Sequence, residues 1–260
     1  MNSRSFAIYT IIAAASAALP VTGFAACDAR SGPKTTALVE LYTSEGCSSC
    51  PPAEKQLRSL RQALDPAAEV VPLALHVGYW DYIGWKDPYA QAAFGARQSW
   101  LVRSNQRKTV YTPQVFVSGT ELRSWQSALR DRVRQLNALP AAAAIRVSAS
   151  NAPDGALALD AEATARAGAG PAALYLALAE SGLVSKVTRG ENSGVTLAHD
   201  HVVREWIGPI RLTGGTARVQ RDIALPATWS RARLEVVAFV QDERSGEVLQ
   251  AVSAHQCAGS

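Results

Sequence analysis

Between Ala37 and Leu136 the hydrophobic positions fall in short, nearly uninterrupted runs, and helix-forming segments lie between them. The runs Ala37-Leu38-Val39-Glu40-Leu41-Tyr42, Val70-Val71-Pro72-Leu73-Ala74-Leu75 and Val115-Phe116-Val117 lack polar alternation, as strands covered on both faces do. They predict strands at 37–43, 69–77 and 113–118, helices at 50–64, 88–105 and 124–137, and a turn at Ser118-Gly119. Strand and helix in alternation is the order of an α/β domain.

The pattern changes at Asn137-Ala138-Leu139-Pro140-Ala141. Beyond it come short runs such as Ile145-Arg146-Val147, Ala156–Ala161, Ala173–Leu178, Ala217–Gln220 and Leu234–Val240, separated by Gly- and Asp-containing turns. Asp242-Glu243-Arg244-Ser245-Gly246 joins two of them as a hairpin does. Regular short strands with little helical periodicity predict an all-β, sandwich-like domain. No internal repeat or low-complexity linker interrupts the chain.

Ahead of both lies Arg4, then an apolar stretch from Phe6 to Leu19, then the small residues around Thr22-Gly23-Phe24-Ala25-Ala26. That is the order of a secretory signal peptide cut after Ala25. The expected organisation is therefore a signal peptide at 1–25, an α/β domain at 26–138 and a β-sandwich-like domain at 139–260. The mature protein is expected to be exported, periplasmic or secreted, with no transmembrane segment. Phe24 departs from the aliphatic residue of a lipobox, which places acylation at Cys27 second.

Of the 260 residues, 48% are hydrophobic, enough for a sizeable core, and the formal net charge is only +4. The basic residues are scattered among acids, which argues against a nucleic-acid partner.

Export permits disulfides, and the four cysteines divide into a close pair, Cys47 and Cys50, and an outlying pair, Cys27 and Cys257. Bridging the outer pair would close nearly the whole mature chain, worth about 5 kcal/mol in the chain-entropy model. The inner pair, Cys47-Ser48-Ser49-Cys50, follows an apolar strand and precedes Pro51-Pro52, which fit a first helical turn. A cysteine at a helix N-terminus is held toward thiolate, the form that attacks disulfides. A zinc half-site and a purely structural bridge are the competing readings; Cys27 and Cys257 form no second knuckle for zinc.

Three long segments narrow the choice: Val39 to Pro52, His76 to Pro88, and Tyr111-Thr112-Pro113-Gln114. With Arg189-Gly190-Glu191-Asn192 and His199 to Arg204, they resemble the secreted thioredoxin-like domain-of-unknown-function family 1223 over nearly all of the mature chain. The resemblance implies a thioredoxin-like α/β domain followed by the all-β domain, and a thiol–disulfide role. It implies Cys47 as nucleophile, Cys50 as resolving thiol, and Pro113 as a cis-proline preceded by Thr112. Gly46 before the first cysteine and Ser48-Ser49 between the two depart from ordinary thioredoxins.

Other residues carry candidate chemistry. Glu40 interrupts an apolar strand, and a desolvated carboxylate there resembles the buried acid with which thioredoxins accept the proton of the second cysteine; an edge-exposed or salt-bridged Glu is the plain alternative. His76 ends a strand on the side of the cysteines, placed for proton transfer or for metal. Tyr79, Trp80, Tyr82 and Trp85 would roof the site or simply pack a loop. His199 and His201 share a face if 196–203 is one strand, but no third ligand is identifiable, so a polar strand face is preferred to metal.

The expectation is an exported thiol–disulfide oxidoreductase that needs no cofactor. Its partners would be protein or peptide thiols and disulfides and an upstream redox donor. The alternatives are a copper-binding or metallochaperone module built on Cys47, Cys50 and His76, and a non-catalytic binding protein.

Overall fold

The computed structural model describes residues 26–255. The expected signal segment lies outside them, as does Cys257, the expected partner of Cys27.

The apolar runs form the strands they predict. After β1 (Ala26–Arg30), the first half holds β2 (Ala37–Thr43), α1 (Pro51–Arg58), α2 (Leu60–Ala63) and β3 (Val70–His76), then α3 (Ala92–Ser104), β4 (Gln114–Val117), β5 (Thr120–Glu121) and α4 (Trp125–Asn137). The second half is all strand apart from one short 3-10 turn: β6 (Ala143–Asn151), β7 (Leu157–Ala165), β8 (Ala172–Glu180), β9 (Leu183–Lys186), β10 (Thr196–His199), β11 (Val202–Arg211), β12 (Thr216–Ile223), β13 (Leu234–Asp242) and β14 (Val248–His255).

These elements do not assemble as an α/β thioredoxin-like domain followed by an all-β sandwich-like domain. Among the described residues strand accounts for 42% and helix for 21%, and the strands of both halves join one eight-stranded sheet, β14-β13-β8-β11-β3-β2-β4-β5. The seam is the parallel pair of β11 with β3, where Val202 lies opposite Ala74 and the Ala74 amide donates to the His201 carbonyl at 2.8 Å. The remaining strands form a four-stranded sheet, β1-β6-β7-β12, and a β9–β10 ribbon.

Burial explains the merger. All nine residues of β8 are buried, so this strand cannot sit in a sheet with one wet face. Leu174, Leu176 and Leu178 pack with Ile145, Val147 and Leu159 of the four-stranded sheet. The alternate residues Tyr175, Ala177 and Ala179 join Leu73, Leu75, Phe94 and Leu101 on the face covered by α3. Exposing such a face would cost about 1.5–3 kcal/mol for each large side chain.

The opposite face of β2 and β3 is covered by α1, α2 and α4, with Val39, Leu41, Leu57, Val133 and Leu136 in one cluster. The hairpin turn at 242–246 locks the halves together. A Cβ on Gly119, at φ +85°, would lie 1.7 Å from the Gly246 carbonyl oxygen, so these two turns approach as closely as they do only because position 119 is glycine.

Candidate functional site

Cys47 and Cys50 form a disulfide with their Cα atoms 5.5 Å apart. The chain turns at Ser44, whose carbonyl accepts from the Cys47 amide at 3.1 Å, and Cys50 then caps α1 with Pro51 and Pro52 in the first turn. Both cysteines are fully buried, whereas Ser48 and Ser49 between them face solvent.

The cover comes from the second half of the chain. Glu191 accepts from the Ser48 amide at 3.0 Å and from its hydroxyl at 2.7 Å, which holds the Glu191 carboxyl below its ordinary range. Asn192 donates to the carbonyls of Glu45, at 2.8 Å, and Cys47, at 3.1 Å. On the other side, a Cβ on Gly46 would lie 3.0 Å from the Trp80 Cβ, so the small residue before Cys47 lets that side chain close over the turn. The Trp80 indole donates to the Thr112 hydroxyl at 2.7 Å, and the Thr112–Pro113 bond that follows is cis. The cysteine turn and Thr112-Pro113 are thus joined through Trp80.

The expected aromatic roof divides. Trp85 is drawn inward by a 2.7 Å bond to Glu45, while Tyr82 is 83% exposed.

Behind the cysteines lies a buried ionic network. His199 has one nitrogen on each of two carboxylates: Nδ1 at 2.5 Å from Glu54 and Nε2 at 3.0 Å from Glu45. Burial alone would lower the His199 pKa, but the bonds to Glu45 and Glu54 reverse this and raise it to about 9. Burial raises the Glu54 carboxyl, but the His199 bond, the charges of His76 and His199 and the Thr43 bond together bring it below the ordinary value; the Thr43 hydroxyl donates to its other oxygen at 2.6 Å.

His76 faces Asp87 through Nδ1 at 2.8 Å. Asp87 also accepts from the amides of Glu45 and Tyr89, and its carboxyl is held low because His76 and these bonds overcome burial. The His76 Nε2 is buried with no hydrogen-bond partner among the described residues. The rings of His76, Tyr89 and His199 meet edge to face with centroids 5.2–5.5 Å apart.

Glu40 sits on the opposite face of β2. Its oxygens accept from Arg97 Nε at 2.6 Å and NH2 at 3.0 Å, and the Tyr42 hydroxyl donates to it at 3.3 Å. This is the salt-bridged alternative, turned toward α3 rather than toward the helix that Cys50 caps.

The expectation that His199 and His201 share a face is also corrected. His201 takes a positive φ of 58° and breaks the 196–203 run into β10 and β11, which sends its ring to Glu235 at 3.3 Å. Sequence reading missed Glu45, Glu54, Asp87 and the Glu191–Asn192 cover. One signal was available for Glu54: it lies four residues after Cys50, on the same helical face.

Among the described residues no helix is long and apolar enough to cross a membrane. A family model for a protein of unknown function, DUF1223, matches residues 38–241. A solved structure of a protein from Agrobacterium tumefaciens is similar with a TM-score of 0.64 and 25% identity, over 87% of this chain and 97% of that one. HBP35 of Porphyromonas gingivalis is similar with a TM-score of 0.67 and 15% identity, over 86% of this chain and 76% of that one, a likeness of fold alone. A search among curated proteins finds no match.

Proposed function

This chain belongs to the DUF1223 family of proteins of unknown function, and we propose that it exchanges thiols and disulfides through Cys47 and Cys50. The observation that carries this reading is a disulfide set at the start of an eight-residue helix, with Thr112-Pro113 linked to the same turn through Trp80. The helix terminus favours the thiolate that exchange requires.

In the cycle, an upstream dithiol reduces the pair by two electrons and is itself oxidised. The Cys47 thiolate attacks a sulfur of a partner disulfide, and the other partner sulfur leaves as thiolate. Cys50 then attacks the Cys47 sulfur of the mixed disulfide, which restores the Cys47–Cys50 bond and releases the partner as a dithiol. Thr112 and Pro113 would present backbone to the bound peptide, and the exported compartment supplies disulfide substrates. Because both cysteines are buried, contacts around the turn must loosen before a partner reaches Cys47, and on this reading the bonds of Glu191 and Asn192 are the ones that release.

The test is a Cys50→Ala variant expressed in the cell of origin. A partner trapped on Cys47 by a bond that dithiothreitol releases is the expected outcome, with none trapped by Cys47→Ser. No Cys47-linked species at all would overturn the reading.

The burial of both sulfurs favours a second reading, a closed structural bridge. A Cys47→Ser/Cys50→Ser variant that keeps full function in the cell but unfolds at lower denaturant would favour it. The copper set of Cys47, Cys50 and His76 gains no such support, since His76 groups with Glu54 and His199 rather than with sulfur.

A further inference from the structure

We propose that His76, His199 and Glu54 form a binding site for a divalent transition metal, zinc by the chemistry of its donors, separate from the two sulfurs. One ligand atom from each residue lies within 4.8 Å of the others, and all three residues are buried. Two imidazoles and one carboxylate are a zinc donor set that leaves a fourth position for water.

The hydrogen bonds around the cluster are arranged as such a site needs. A metal-bound histidine donates its far N–H to a carboxylate, which fixes the tautomer and aims the other nitrogen at the ion. Here both histidines do so. His76 Nδ1 faces Asp87 at 2.8 Å and leaves Nε2 toward the cluster, and His199 Nε2 faces Glu45 at 3.0 Å and leaves Nδ1 beside Glu54. Glu54 is itself oriented by the Thr43 hydroxyl, and Glu45 by the Trp85 indole.

The second observation is the His76 Nε2, a buried polar atom with no partner among the described residues. Buried polar groups in native proteins are satisfied with few exceptions, and each exception asks for a ligand or a role. Charge points the same way. Glu45, Glu54 and Asp87 place three carboxylates around two imidazoles, and such an excess is relieved by a divalent cation at the nitrogen between them. On binding, the ion takes the place of the hydrogen between Glu54 and His199, and that proton leaves to solvent.

The site is distributed across the two halves of the chain. Glu54 comes from α1, His76 from the end of β3, and His199 from the end of β10. Bound metal would therefore pin the segment that precedes the β11–β3 seam against the helix that Cys50 caps.

The test uses the full mature chain, stripped with chelator and titrated with zinc and with cobalt. One equivalent of each is expected to bind, with the visible absorption of four-coordinate cobalt. X-ray absorption at the zinc edge should show nitrogen and oxygen neighbours and no sulfur. His76→Ala should lose binding, Asp87→Asn should weaken it by roughly 10- to 100-fold, and Cys47→Ser/Cys50→Ser should retain it. Absence of stoichiometric binding by the wild-type chain overturns the proposal, as does sulfur in the metal's first shell. Because His76→Ala removes a fully buried side chain, the wild-type zinc-edge spectrum decides the matter if that variant does not fold.

Discussion

Two buried ionic networks flank β2, and they are built on opposite principles. On the α3 face, Glu40 and Arg97 pair one to one through two bonds, with Gln241 on the remaining guanidinium nitrogen. The rings of Tyr175, Trp206 and Phe239 enclose the guanidinium carbon at 4.8–5.1 Å. Charge and hydrogen bonds both close there. On the face of α1, the Glu45–His199–Glu54 and His76–Asp87 groups carry more carboxylates than imidazoles and leave one nitrogen unpartnered. A completed network rigidifies a core, whereas an incomplete one of similar burial has capacity for a ligand.

The largest effect follows from that completeness. Arg97→Met leaves Glu40 buried and uncompensated, and the loss of unfolding free energy in denaturant should be about 3–5 kcal/mol. Adding Glu40→Leu should return most of it, because the apolar pair removes the stranded charge. Glu40→Gln, in contrast, should leave the pH profile of thiol exchange where it is. A shifted profile would move Glu40 from structure to chemistry and break the contrast between the two faces.

The opposite imbalance, one carboxylate among three nitrogen-bearing side chains, occurs at Glu235, which faces Arg61, His201 and His255 at 2.6–3.3 Å. Burial raises the Glu235 carboxyl, but the His201 bond and the Arg61 charge outweigh it and hold it at about 2. A depressed folded-state pKa contributes stability that is fully present above the unfolded value near 4.5 and lost as the pH falls through about 2. The loss should be about 3 kcal/mol. Unfolding measured in acid should show it, and Glu235→Gln should flatten that part of the profile. An unchanged profile would remove the charge argument from this cluster.

Glu54→Gln tests the open network more gently. One hydrogen bond to a charged ring is weakened while Glu45 still holds His199, so in metal-free protein the cost should be about 1–3 kcal/mol, below that of Arg97→Met. A cost equal to or above it would mean that the two networks are equally complete.

Much of the local structure was legible in the sequence. The apolar runs at β2, β3, β4, β8 and β13 and the turn chemistry at 242–246 mark strands and a hairpin directly, because backbone pairing needs little beyond burial and turn residues. Their assembly was not. The seam rests on a single bridge between Ala74 and Val202, residues remote in sequence, and no local pattern encodes such a pairing. Cys47, Cys50 and the Thr112-Pro113 bond stand out because their residue types are unusual. Glu45, Glu54 and Asp87 read as ordinary surface acids until the fold carries His199 between two of them. Glu40 drew attention by interrupting an apolar strand, but its partner Arg97 lies in a helix whose buried face cannot be read from periodicity alone.

The open network is also the one with a removable cover, and that gives the smallest effect. Glu191 is exposed and is held to the site by the amide and hydroxyl of Ser48, so Glu191→Ala should leave the unfolding midpoint where it is. Local openings at a surface are set by such bonds rather than by the core. The rate at which a small dithiol reduces the Cys47–Cys50 bond should therefore rise severalfold, and Asn192→Ala, which releases the Cys47 and Glu45 carbonyls, should raise it further. The face that holds Glu40 and Arg97 has no part in this gate, so Glu40→Gln should not change the rate. Equal reduction rates in all of these variants would mean that the sulfurs are reached by another path, and the cover would lose its assigned role.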